Sequence, residues 1–294
     1  MSTSPRRSRT GSRWGRSALR VMLATLAMLI MLAGAAAAAQ TPRPAPVDPF
    51  VRSVARVRPS VLAIGTYHRR DRPSARYLGS GFVIADGNLV ATNAHVVDGV
   101  RNNERLKALT VFLPDQPPRS GRRAVLIEED PQHDVALLRF AGPPLRPLDL
   151  TPAGPVRQGQ AVGVVGYPIG MRLGVVPAAH KGVVAAVVAA VRPLPQGARM
   201  TPELARALKD PYDLYQLDLI VYPGNSGSPL FDASTGRVVG IINKTLATRT
   251  REHLLTHPSG ISYAVPTRWL RALLARHRLE TEARGARDDG KEQR

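Results

Sequence analysis

The chain is 294 residues long, with 44% hydrophobic residues and only 5% aromatics. That length suggests one or two domains, and any core must be built mostly from Val, Leu, Ile and Ala. No cysteine is present, which excludes disulfides, a thiol nucleophile and thiolate metal sites. The formal net charge is +19. Charge of that size can mark a nucleic-acid, anionic-lipid or acidic-substrate partner. Here the basic residues are mostly arginine, lie scattered along the chain and accompany no nucleic-acid module. Composition bias accounts for them, and no nucleic-acid partner is expected.

The first 20 residues carry Arg6, Arg7, Arg9, Arg13, Arg16 and Arg20 and no acid. Val21 to Ala39 is apolar or small apart from Thr25, and it ends in a run of alanines before Gln40. A basic start, an apolar stretch and a small-residue exit read as a secretory signal peptide over residues 1–39, or as an uncleaved signal anchor. Either way the body is expected outside the cytoplasm, periplasmic or extracellular, because the positive flank stays inside. Membrane contact is expected only through this segment if it is uncleaved. Residues 40–50 are proline-rich and read as a stiff linker.

From residue 51 onward, short β-branched runs alternate with turn signals. The predicted strands are 60–65, 80–84, 89–92, 109–113, 123–127, 135–140, 161–166, 181–187, 214–219, 238–243 and 261–265. With 25 glycines and 26 prolines between such runs, an all-β sandwich or barrel is expected. The strands cluster over about 60–145 and 158–266, with no internal sequence repeat. A helix is expected from Thr201, where Pro202 and Glu203 follow a capping threonine, and another over 267–279. Residues 281–294 read as a disordered charged tail.

Three segments carry the chemistry. They are Thr92-Asn-Ala-His95-Val-Val, His133-Asp134-Val-Ala-Leu-Leu and Tyr222-Pro-Gly-Asn-Ser226-Gly-Ser. A serine hydroxyl becomes a nucleophile only beside a base, and the base needs a carboxylate to fix its tautomer. His95, Asp134 and Ser226 supply those three roles in the order His, Asp, Ser, which is not the order of an α/β-hydrolase. Glycines around Ser226 allow a tight turn that aims the backbone N–H groups of Gly224 and Ser226 at one point. Each such donor stabilises a tetrahedral oxyanion by about 3–4 kcal/mol. His253 and His257 are four apart but lack the intervening glutamate of a metalloprotease, so neither a metal site nor a cofactor is expected.

The chain resembles the trypsin-like serine peptidases, most closely the HtrA (Deg) branch. The matching pieces are Gly79-Ser-Gly-Phe-Val-Ile, Thr92-Asn-Ala-His95, Asp134-Val-Ala-Leu-Leu, Gly163-Val-Val-Gly-Tyr-Pro, Gly224-Asn-Ser226-Gly, Val239-Gly-Ile-Ile-Asn and Ile261-Ser-Tyr-Ala-Val-Pro. They keep the family's order over about 55–275. The resemblance implies two six-stranded antiparallel barrels with the site between them, within a protease domain over 51–280. It implies His95 as base, Asp134 as orienting acid and Ser226 as nucleophile. It also implies that Ile220, six residues before Ser226, is the floor of the specificity pocket, with Asn243, Lys244 and Thr245 on one wall and Gly260 on the other. An apolar floor favours cleavage after Val, Ala, Leu or Ile in unfolded proteins.

The chain departs from the branch in three places. Only a short stretch follows Pro266, so no PDZ module is expected. Ser228 stands where glycine is usual. The segment 192–215 is long for the family and is expected to order or gate the site. The other reading is a catalytically silent protease fold that serves as a binding or scaffold protein. Protein or peptide partners are expected on either reading, and an oligomer is left open.

Overall fold

The computed structural model describes residues 20–31, 47–101, 109–150, 155–168, 176–189, 212–243 and 260–292. The predicted helix from Thr201, almost all of the 192–215 segment, Lys244, Thr245, His253 and His257 lie outside the described residues. The chain divides into two units, Met1–Val47 and Asp48–Arg294.

In the first unit, residues 20–31 form helix α1. The Thr25 hydroxyl donates back to the carbonyls of Val21 and Met22, 3.0 Å in each case. Among the described residues no helix is long and apolar enough to cross a membrane.

The second unit opens on helix α2 (Pro49–Val57), inside what the sequence reads as the end of a linker and the start of the body. Its start has a local cause. Asp48 caps it by accepting from the Phe50 N–H at 2.8 Å, and Pro49 occupies the first helical position, where its missing N–H costs nothing. Among the described residues twelve strands follow, in two closed six-stranded antiparallel barrels, as expected. The first joins β1 (Val61–Tyr67), β2 (Ala75–Ile84), β3 (Leu89–Thr92), β6 (Val135–Phe140), β5 (Arg122–Asp130) and β4 (Leu109–Phe112) in that order. The second joins β7 (Ala161–Gly166), β8 (Ala178–Ala189), β9 (Asp213–Asp218), β12 (Ile261–Pro266), β11 (Val238–Asn243) and β10 (Pro229–Asp232). The same topology thus recurs in two halves that share no sequence repeat. Helix α3 (Ala94–Arg101) follows β3, and α4 (Thr267–Glu292) closes the chain.

One strand, β10, escapes the sequence pattern because it is four residues long, opens on proline and ends on aspartate. Helix α4 runs past its expected end at Leu279 to Glu292, through the stretch expected to be disordered. The good helix formers Glu, Ala, Arg and Lys make up seven of residues 281–292 and sustain a helix across Gly285 and Gly290.

Three apolar clusters hold the second unit. One comes from the first barrel and α3 and includes Leu62, Ile64, Val83, Val90, Val97 and Leu138. Another comes wholly from the second barrel and includes Val162, Val164, Leu217, Leu230 and Ile242. The third draws on both barrels, α2 and α4, through Val57, Phe82, Leu137, Phe231, Ile241 and Leu270. Strands buried on both faces read as continuous apolar runs, which is why β1 and β11 carry no polar alternation.

Candidate active site

His95 lies in the first turn of α3, and Asp134 lies in the turn that leads into β6. The β3–β6 ladder pairs Thr92 with Ala136 and brings these two turns to the same end of the first barrel. There the Asp134 carboxylate holds His95 twice. Oδ1 accepts from the His95 backbone N–H at 2.9 Å, and Oδ2 lies 2.7 Å from His95 Nδ1. The Asn93 amide donates to the Asp134 carbonyl at 2.9 Å. Asp134 has φ 54°, a left-handed conformation that aspartate tolerates better than bulkier residues but that still stores strain. It is buried, whereas His95 is partly exposed.

Ser226 comes from the second barrel, in the turn between β9 and β10. Gly224 has φ 101° and Gly227 φ 86°, values that a side chain resists. At Gly227 a Cβ would lie 2.0 Å from the Ser80 carbonyl oxygen, so glycine is required on space as well. The turn is tied on two sides. Gly227 N–H donates to Ile242 O at 3.0 Å and Ile242 N–H to Ser228 O at 2.9 Å, which fixes it to β11. Ser80 N–H donates to Ser226 O at 2.8 Å and the Ser80 hydroxyl to Gly224 O at 2.7 Å, which fixes it to β2 of the other barrel. Tyr167 spans the same junction: its N–H donates to Ser80 Oγ at 3.1 Å and its hydroxyl to Val61 O at 3.0 Å. Burial pushes that phenol's pKa up, so it remains a donor at any ordinary pH. Among the described residues the N–H groups of Gly224 and Ser226 make no hydrogen bond, so both donors are available.

Asn243, at the end of β11, was expected in the wall of a specificity pocket. Its side chain goes elsewhere. The amide donates to Asp134 Oδ2 at 2.8 Å, across the junction between the barrels, and the residue is buried. Gly260 lies beside Leu219, the neighbour of Ile220: Leu219 N–H donates to Gly260 O at 2.9 Å, and the Ser262 hydroxyl to Leu219 O at 2.8 Å. Ile220 is 40% exposed, so it borders open space and does not close the bottom of a slot.

Sequence reading missed the support behind Asp134. His133 stacks on Trp269 of α4 at 3.5 Å between centroids and meets the ring of Tyr212 edge-on at 5.0 Å. Its Nδ1 lies 2.7 Å from Asp130 Oδ2. Burial would raise the Asp130 pKa, but hydrogen bonds from the His133 side chain and backbone and the charges of His133 and Arg276 together hold it low. Arg276 of α4 pairs with Glu128 and also donates to the Glu129 carbonyl. The turn that carries Asp134 is therefore clamped to the C-terminal helix. The signal lay in the His133-Asp134 pair, where the first residue was taken only as context for the second.

Two barrels that meet over a His–Asp pair and a glycine-flanked serine define the class of chymotrypsin-fold serine peptidases. The family described as trypsin-like peptidase domain matches residues 79–241, and the chain belongs to it. It is 33% identical over 197 residues to a DegP-like relative from Halomonas elongata, covering 65% of this chain and 33% of that one. It is 34% identical over 199 residues to another from Pseudomonas fluorescens, covering 67% and 34%. Both relatives are named for the periplasmic serine endoproteases, and the chain spans about a third of their length. Among solved structures it is similar to the Rv3671c protease of M. tuberculosis in its active form. The identity is 28% and the TM-score 0.55, over 76% of this chain and 82% of that one. The HtrA-type protease AlgW shares the fold, with TM-score 0.53 at 23% identity over 77% of this chain and 62% of that one.

Proposed function

We propose that the protein is an exported serine endopeptidase. Ser226 is the nucleophile, His95 the general base, and Asp134 the group that orients and stabilises the imidazolium. The observation that carries this reading is the 2.7 Å contact of His95 Nδ1 with Asp134 Oδ2, on a carboxylate that Asn243 also engages. With Nδ1 occupied, Nε2 is left to take the Ser226 proton. The free N–H groups of Gly224 and Ser226 receive the oxyanion. The periplasmic names of the relatives and the basic, then apolar, N-terminal segment support export. Ile220 presents an exposed apolar side chain at the position that the resemblance gives to the pocket floor, which supports cleavage after small or medium apolar residues in extended segments.

A fluorophosphonate probe tests the assignment. It is expected to label the wild-type protein at Ser226 and to leave Ser226→Ala unlabelled. Labelling that persists in the variant overturns the nucleophile, and an unlabelled wild type favours a silent binding protein on the same fold. Cleavage-site profiling on a denatured protein mixture tests the substrate preference separately. Cuts mainly after Arg or Lys overturn it, and Ile220→Asp is expected to create that pattern.

A further inference from the structure

We propose that a cavity on the flank of the second barrel, away from the catalytic groups, binds a phosphate ester. It has a volume of about 660 Å³ and opens between the end of α2, the connection between the barrels and the β10–β11 turn. Arg56, Arg146 and Arg237 line it, and among the described residues Asp149 is the one acid on its wall. A volume of this size lies in the usual range for small-molecule sites.

The frame is pinned on every side. Arg56 donates to the Thr235 carbonyl at 2.7 Å and so fixes α2 to the turn. Gly236 packs against Ser53, where an added Cβ would come within 3.5 Å. The Asp232 carboxylate accepts from the N–H and hydroxyl groups of both Ser234 and Thr235 and holds the turn from below. The connection is tied down by Leu148 N–H to Val83 O at 2.9 Å and by Val238 N–H to Asp149 O at 3.0 Å.

Within that frame the side chains of Arg146 and Arg237 have no hydrogen-bond or ion-pair partner among the described residues. On the same body Arg58, Arg139, Arg268 and Arg276 each pair with a carboxylate, whereas Arg119 and Arg271, outside the cavity, make no ion pair among the described residues. Three guanidinium groups held around one concavity repel one another until an anion enters. Their planar forks match phosphate oxygens, which accept two N–H bonds at once. The space is several times larger than a bare phosphate needs, and among the described residues no aromatic lines it to stack a base. Asp149 and Thr235 can hydrogen-bond the hydroxyl groups of an alcohol. The lining therefore fits the phosphate ester of a hydroxylated alcohol, either free or as a lipid headgroup.

The full chain is titrated calorimetrically with glycerol phosphate and sedimented with vesicles of phosphatidylglycerol or phosphatidylcholine. R146A/R237A is compared with R119A/R271A, which removes two exposed arginines outside the cavity and keeps the net charge equal. Saturable binding of glycerol phosphate is expected. It should weaken at least about tenfold in R146A/R237A, a modest demand for two charged donors, and stay unchanged in R119A/R271A. If R146A/R237A also sediments less with phosphatidylglycerol, the source is a headgroup; if only the soluble probe is affected, it is a soluble ester. Absence of saturable binding to either probe, or equal loss in both double variants, overturns the proposal. Peptidase turnover of each variant, from residues outside the catalytic groups, confirms that it has folded.

Discussion

At the scale of single residues, both oxygens of the Asp134 carboxylate are committed. One oxygen serves the His95 backbone, and the other lies against His95 Nδ1 and accepts from Asn243. A carboxylate that accepts three bonds has a fixed orientation, and the imidazole inherits it. Asn243→Ala removes one charge-assisted bond, a contribution of about 1.5–3 kcal/mol. The expected result is a fall in kcat/KM of roughly tenfold to a hundredfold. Because Asn243 acts through Asp134, the loss should fall on kcat and leave KM nearly constant. Steady-state kinetics on a peptide substrate decides, and an effect confined to KM would return Asn243 to the pocket wall.

At the scale of elements, α4 and the β10–β11 hairpin each hold something beyond themselves. Trp269 of α4 is half-buried and covers His133 on the turn that presents Asp134. Trp269→Ala leaves a gap there and is expected to cost about 2–3 kcal/mol, below the range for a fully buried tryptophan. Trp269→Phe should recover most of the stability and turnover. Thermal melts and kcat for the pair separate lost packing from lost positioning.

The hairpin makes a pH prediction. Burial pushes the Asp232 carboxyl up, but bonds from the Ser234 hydroxyl, the Gln160 amide and the Thr235 N–H and hydroxyl outweigh it and bring the pKa to about 2. An unfolded aspartate titrates near ~3.9. The folded pKa is the lower one, so the stabilisation is complete above about pH 4 and is lost as pH falls through about 2. The gap in Tm between wild type and Asp232→Asn should therefore be widest above about pH 4 and close near pH 2.

At the scale of the whole molecule, the fold was legible in sequence wherever burial on both faces or a glycine requirement left a mark. The buried β1 and β11 and the glycine-flanked turn of Ser226 were of that kind, whereas the half-exposed β5 and β8 were legible only as β-branched runs, and β10 alone of the described strands escaped. Helix α2 was masked by the prolines before it, although Asp48 and Pro49 are a capping signal. The Trp269–His133 contact was illegible because it joins residues far apart in the chain with no periodic pattern between them. The path of the Asn243 side chain was illegible for the same reason: its neighbours in sequence belong to the second barrel and its partner to the first. The apolar cluster that draws on both barrels implies that they unfold together. Chemical denaturation followed by Trp269 fluorescence, with Trp14 replaced by Phe, should coincide with the loss of far-ultraviolet circular dichroism. Two separated transitions would show that the barrels are independent.

The division of the site between the barrels has a bearing on when the protein can act. On the proposed reading the base and its acid lie in the half that leaves a ribosome or an export channel first, and the nucleophile lies in the half that leaves last. A nascent or threading chain carries each group without the geometry that makes it reactive. Ser226 has no tied turn until Ser80 and Ile242 are both in place to hold it. On that reading activity begins only with the docking of two halves that arrive at different times, so a chain still being made or threaded is not yet an active peptidase.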